Sequence, residues 1–111
     1  MRVSFTARHY KPSERLKEYA TTEVHKLERY YDGIISCEIV LDYQKLSQIA
    51  EIKLNVHGNT LTAIEKSEDI YKSIDLAVIK LERQLKKYKG KLSHFKNKKI
   101  IDNINEEAIL K

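Results

Sequence analysis

The segment that decides the fold is residues 49–65, IAEIKLNVHGNTLTAIE. Apolar and polar residues alternate through its first half, which is the period-two pattern of a strand with one buried and one solvated face. Gly58-Asn59 interrupts the alternation with residue types that favour a tight hairpin turn. Residues 60–65 then return as a second alternating run. The segment therefore predicts two antiparallel strands that share one apolar face.

Two further runs upstream of this hairpin alternate with the same period. Residues 34–46 place five side chains on one predicted inward face: Ile35, Cys37, Ile39, Leu41 and Tyr43. Residues 2–7 alternate Val3, Phe5 and Ala7 with polar residues. The predicted outward face of the later strands is polar and comprises Glu38, Asp42, Glu51, Lys53, Asn55, His57, Thr60 and Thr62. We therefore expect a sheet that is covered on one side and open to water on the other.

Two amphipathic helices complete the pattern. The first is predicted over residues 14–31, with Ser13 as its N-terminal cap and Asp32-Gly33 at its end. Its apolar residues recur every three or four positions, at Leu16, Ala20, Val24, Leu27 and Tyr31. The second opens at Ser67-Glu68-Asp69, and its stripe comprises Ile70, Ile74, Ala77, Val78, Leu81, Leu85, Tyr88 and Leu92. The predicted fold class is α+β, in the order β-α-β-β-β-α, with a four-stranded sheet and both helices on one face.

Length and composition limit the classes of protein that fit. The 111 residues suit one domain, predicted as residues 1–95, followed by a mobile C-terminal tail over residues 96–111. Apolar runs are too short to cross a membrane, the N-terminus is unlike a signal peptide, and a single cysteine agrees with a reducing cytoplasm. The residues form no nucleotide-binding, nucleophile or metal-ligand motif, so we expect no enzyme activity, cofactor, metal or small-molecule substrate.

Positive charge is concentrated in residues 79–99, which hold nine basic residues and the single acid Glu82, in a chain of net charge +5. On a helical wheel Lys80, Arg83, Lys87 and Lys91 fall on one flank of the apolar stripe. Arg15, Lys26 and Arg29 lie on the matching flank of the first helix. Two helices side by side are predicted to merge these flanks into a surface that binds a polyanion, in preference to a merely solvated face.

The predicted open face of the sheet does not suit nucleic acid. Proteins that bind RNA through a sheet stack bases on aromatic side chains. The outward residues of this sheet include several acids and no aromatic residue. Helices are therefore the expected binding elements.

Four stretches resemble the bacterial ribosome hibernation-promoting factors, also called ribosome-associated inhibitors or Y proteins. They are FTARH at residues 5–9, KLERYY at 26–31, EDIYKSID at 68–75 and KLERQLKKYK at 80–89. The resemblance covers residues 1 to about 95 and corresponds to a short form. It implies a fold similar to double-stranded-RNA-binding domains.

The resemblance also implies a function and a set of binding residues. The domain is expected to occupy the mRNA channel and the A and P sites of the small ribosomal subunit. It would inhibit translation sterically in stationary phase or stress and protect idle ribosomes. Contacts to rRNA are expected from Arg8, Lys26, Arg29, Tyr71, Lys80, Arg83, Lys86, Lys87 and Lys91. The protein is expected to be cytoplasmic, and monomeric when off the ribosome. The alternative is a protein-interaction module whose basic helix docks on an acidic partner protein.

Overall fold

A computed structural model describes the backbone of residues 1–101 and the side chains of residues 1–90. Its elements are β1 (Arg2–Ala7), α1 (Glu14–His25), a 3₁₀ turn (Lys26–Arg29), β2 (Ile34–Gln44), β3 (Ser47–Val56), β4 (Asn59–Ser67) and α2 (Ile70–Ile101). This order confirms the β-α-β-β-β-α prediction. The α2 backbone continues past residue 95, and the predicted tail extends beyond the described residues, so that boundary stays a prediction.

The four strands form one sheet in the order β1-β2-β3-β4. Strands β2, β3 and β4 pair antiparallel through short hairpins, as predicted. β1 pairs parallel to β2, with Phe5 opposite Ile39. A parallel neighbour needs a crossover connection, and α1 provides it. This connection places α1 on the same face of the sheet as α2.

Both helices bury their apolar stripes against one face of the sheet. The most buried apolar residues of the helical segments, all at most 5% exposed, are Leu16, Ala20, Val24, Leu27, Ile74, Ala77, Leu81 and Leu85. They contact a sheet surface formed by Cys37, Ile39, Leu41, Ala50, Ile52, Leu54, Leu61 and Ala63. Burial of apolar area on this scale is the main source of stability in a small domain.

The predicted inward face of β2 is wrong at its start, and at its far end the inward residue Tyr43 is not buried. The register between β2 and β3 shifts between Ile34 and Ser36. An extra residue in one strand reverses the alternation, so Ile34 is buried and Ile35 is 56% exposed. Tyr43 is 42% exposed because it lies near the tip of the β2–β3 hairpin.

The open face is less polar than predicted. Val40 and Ile49 lie on it with only 6% and 9% of their surface exposed, and Ile64 lies beside them. The sequence pattern also misplaces the β3–β4 turn by one residue. Val56 pairs with Asn59, so the turn consists of His57 and Gly58, with Gly58 at a φ of 78°.

The first helix is shorter than predicted. Ser13 caps it as expected, since its hydroxyl accepts the Leu16 amide at 3.1 Å. The α-helix ends at His25, and Lys26–Arg29 tighten into a 3₁₀ turn, a common way for a helix to end. This turn keeps Leu27 buried while it presents Lys26 and Arg29 to solvent.

Candidate nucleic-acid interface

The two helices are held side by side by tyrosine contacts. The Tyr19 hydroxyl donates to the Asp75 carboxylate at 2.5 Å, and this bond raises the pKa of Tyr19 to about 12. The Tyr19 and Tyr71 rings meet edge to face with centroids 4.9 Å apart. These contacts lie between α1 and the first turns of α2. They bring the basic residues of the two helices onto one side of the domain.

Farther along α2, three of the predicted basic residues gather around Tyr30. The Lys86 ammonium lies 5.1 Å from the centroid of the Tyr30 ring. Lys26 and Arg29 of the 3₁₀ turn line, together with Tyr30, a groove of about 260 Å³ between the helices. We call Lys26, Arg29, Tyr30 and Lys86 the helix-junction cluster. The Tyr30 ring can stack on the base of a nucleotide, and the three cations can pair with the phosphate of that nucleotide.

Carboxylates beside the cluster partly neutralise it. Lys26 pairs with Glu23 at 2.6 Å, and Lys86 pairs with Glu82 at 3.6 Å. The Tyr30 hydroxyl and, after it, Lys86 hold the pKa of Glu82 below its usual range, so Glu82 stays ionised at neutral pH. Arg29 makes no ion pair within the described part of the chain. A bound phosphate must therefore draw both lysines away from their carboxylates, whereas Arg29 needs no such exchange.

The remaining bases of α2 do not join this cluster. Lys80 lies 3.9 Å from Glu65 of β4, on the side of α2 away from the 3₁₀ turn. Lys87 is exposed and, two helical turns after Lys80, lies close to the same flank. Arg83 is exposed between that flank and Lys86. Lys86, rather than the predicted Lys80/Lys87 flank, contacts Tyr30 beside the bases of the 3₁₀ turn.

Arg8 and Tyr71 are placed far from the helix-junction cluster. Tyr71 precedes Lys86 by fifteen residues of helix, or roughly 22 Å. Arg8 follows β1, where its amide donates to the Leu41 carbonyl at 2.8 Å. The ninth predicted residue, Lys91, lies on α2, but its side chain is outside the described residues. The predicted set is thus spread along the domain rather than gathered at one point.

The open sheet face keeps an acidic character. Asp42 is 9% exposed and contacts the His9 ring at 2.7 Å. This contact, and secondly the Tyr43 amide, hold the pKa of Asp42 below its usual range. Glu38 is exposed on the same face. Ionised carboxylates here disfavour a phosphate backbone, in agreement with the prediction that helices bind it.

Sequence reasoning missed two members of this surface. Tyr30 packs at the edge of the core, and its ring also lies beneath Lys86, a contact that the sequence did not indicate. Glu82 was counted as an isolated acid, although its spacing of four residues from Lys86 was a readable pairing signal. The position of Tyr30 could not be read locally, because it depends on how the 3₁₀ turn packs on α2.

Comparison with known proteins gives consistent matches over most of the chain. The family model described as "Sigma 54 modulation protein / S30EA ribosomal protein" matches residues 3–93. Proteins named ribosome hibernation promoting factor from Salmonella typhimurium and Escherichia coli K12 are each 35% identical over 92 residues, covering 83% of this chain and 97% of theirs.

Two solved structures share the fold. A ribosomal subunit interface protein from Coxiella burnetii superposes with a TM-score of 0.77 at 32% identity, covering 81% of this chain and 99% of that one. The N-terminal domain of Thermus thermophilus Protein Y superposes with a TM-score of 0.74 at 28% identity, covering 79% and 99%. With the family match over residues 3–93, these likenesses establish that the chain belongs to the S30EA ribosomal protein family.

Proposed function

We propose that this protein is a ribosome hibernation factor that binds small-subunit rRNA and inhibits translation. Family membership and the names of its relatives support a ribosomal role. The observation that carries the rRNA assignment is the helix-junction cluster, where Lys86 lies over the Tyr30 ring and Lys26 and Arg29 line the adjoining groove between the helices.

The proposed mechanism is steric and needs no reacting group. The domain occupies the mRNA channel and the A and P sites of the decoding region, so mRNA and tRNA are excluded while it is bound. Lys26, Arg29, Arg83 and Lys86 contact the phosphate backbone, and Tyr30 offers a face for a base or ribose. Lys80, Lys87 and Lys91 extend the same surface toward the end of α2. Such binding would act in the cytoplasm of resting or stressed cells.

Charge makes the orientation of the domain specific. Basic side chains of α2 and the 3₁₀ turn face the rRNA, while the acidic sheet face turns away from it. The attraction to a polyanion then favours encounters in which the basic helix surface faces the rRNA. This arrangement requires no change in the described fold.

Sedimentation of charge-reversed variants tests the proposal. We expect the wild-type protein to co-migrate with ribosomes on a sucrose gradient of stationary-phase extract. Arg83→Glu combined with Lys87→Glu should abolish this co-migration and leave the circular dichroism spectrum unchanged. The matched control is Lys53→Glu with Lys66→Glu, which makes the same charge change on the open sheet face. Retention of the helix variant on ribosomes, or equal loss in the control, would contradict the proposal.

A protein partner is the second candidate, because the family description also names modulation of sigma 54. An acidic partner protein could dock on the same basic helix. The two candidates differ in their response to nuclease. RNase treatment should release an rRNA-bound protein from its partners, whereas a complex with an acidic protein should survive that treatment.

A further inference from the structure

A second cavity lies at the N-terminal end of α2, away from the helix-junction cluster near the middle of that helix. It measures about 510 Å³ and is lined by the rings of Tyr10, Tyr43 and Tyr71 together with Glu68 and Asp69. Its volume is within the roughly 300–1,000 Å³ typical of ligand-binding clefts. The proposed rRNA surface does not use this cavity, although Tyr71 also packs on Tyr19. It is an acidic, aromatic site on a protein of net charge +5.

The polar groups of the cavity are incompletely paired. The Tyr10 hydroxyl is buried and has no hydrogen-bond partner among the described residues. Because this oxygen is closed to solvent, it is also closed to a ligand in the cavity. Glu68 and Asp69 are exposed at the rim, and one Asp69 carboxylate oxygen accepts the Tyr71 amide. The site therefore offers hydrogen-bond acceptors beside aromatic faces.

The sign of the charge selects the ligand. A helix N-terminus alone attracts anions, but Asp69 already accepts the Tyr71 amide at 2.9 Å and counters that end of α2. Two carboxylates at the rim then repel phosphate and attract a cation. Tyrosine faces and carboxylates together suit a guanidinium, which stacks flat on a ring while it donates in its plane.

We propose that this cavity binds an arginine side chain of a basic protein segment. The guanidinium stacks against the tyrosine rings and donates to the Glu68 carboxylate. That this segment belongs to a ribosomal protein rests on the proposed ribosome binding. Tyr71 then contacts a protein side chain rather than a nucleotide. The domain would hold rRNA through its basic helix surface and protein through this acidic end.

The test is a titration of the isolated protein followed by amide NMR. The probes are the blocked peptides Gly-Arg-Gly and Gly-Lys-Gly, and AMP. We expect the arginine peptide to shift the amides of Tyr43, Glu68 and Tyr71 saturably. The lysine peptide should bind more weakly, because an ammonium does not stack flat. AMP should leave these amides unshifted.

Variants sharpen the outcome. Glu68→Gln and Tyr43→Leu should each weaken binding of the arginine peptide by about two- to fivefold. Tyr43 is 42% exposed, so its replacement should leave the fold intact. Glu38→Gln, an equal charge change on the open sheet face, should have no effect. The proposal would be overturned if AMP shifted these amides instead, or if both peptides shifted them equally. It would also be overturned if neither variant changed the affinity for the arginine peptide. The titration contains no ribosome, so its result does not depend on whether the protein binds ribosomes.

Discussion

Replacing one exposed arginine on α2 tests quantitatively whether the helix surface binds rRNA. Arg83 lies between the helix-junction cluster and the Lys80/Lys87 flank, and it makes no ion pair within the described part of the chain. A phosphate contact from Arg83 therefore displaces only counterions. Arg83→Gln removes that contact while the buried side of α2 stays unchanged.

The number of predicted contacts sets the expected salt dependence. Six bases of the proposed rRNA surface have described side chains, and three of them, Lys26, Lys80 and Lys86, already pair with carboxylates. Each phosphate contact contributes about −0.9 to the slope of log K against log salt concentration, so the three unpaired bases give about −2.7 and all six about −5.4. Arg83→Gln should make the slope shallower by about 0.9. In about 0.1 M salt this corresponds to roughly eightfold weaker binding.

Binding to purified small subunits, measured across about 50 to 300 mM KCl, gives these slopes directly. Lys66→Gln is the matched control, because it removes one positive charge from the open sheet face. Its slope should equal that of the wild type. Equal slopes for the wild type and Arg83→Gln would refute the placement of phosphate contacts on α2. Equal changes in both variants would show that net charge, rather than this surface, governs binding.

Three other predictions test the cluster and the core. Glu82→Gln frees Lys86 from its 3.6 Å ion pair, so ribosome binding should tighten by about two- to eightfold in the same assay, and weaker binding would contradict this reasoning. Leu85→Ala empties a fully buried site and should lower the free energy of unfolding by about 2–5 kcal/mol in a urea titration; a loss under about 1 kcal/mol would argue against its burial. Burial raises the pKa of the Cys37 thiol from 9.0 to about 12, so its contribution to stability is intact below pH 9 and is lost as the pH rises toward 12. In urea titrations across that pH range, the free energy of unfolding should decline less steeply for Cys37→Ala than for the wild type. Equal declines in the two proteins would contradict the raised pKa of the thiol.

Local patterns in the sequence predicted most of the secondary structure. The alternation in β3 and the spacing of Leu16, Val24, Leu81 and Leu85 depend on periods of two and 3.6 residues, which neighbouring residues alone express. The caps were equally readable, since Ser13 acts on an amide three residues away. Departures occurred where distant segments meet. Ile35 was misassigned because the register shift in β2 exists only through its pairing with β3.

The candidate surface was predicted in composition but not in arrangement. The charge run identified α2 as basic, and the resemblance in KLERQLKKYK indicated which residues to consider. It could not indicate that Lys26 and Arg29 lie on a 3₁₀ turn beside Tyr30. The acidic cavity near Tyr71 was also hidden, because its lining comes from four separate parts of the chain.

By itself, the sequence determined the order of the elements, the apolar face of each one and the concentration of positive charge on the last helix. These are properties of short stretches. Only the tertiary structure decided which base of α2 contacts Tyr30 beside the bases of the 3₁₀ turn. Burial of Ile74, Leu81 and Leu85 against the sheet sets the rotation of α2 about its axis. That rotation directs Lys86 toward Tyr30 and Lys80 toward Glu65.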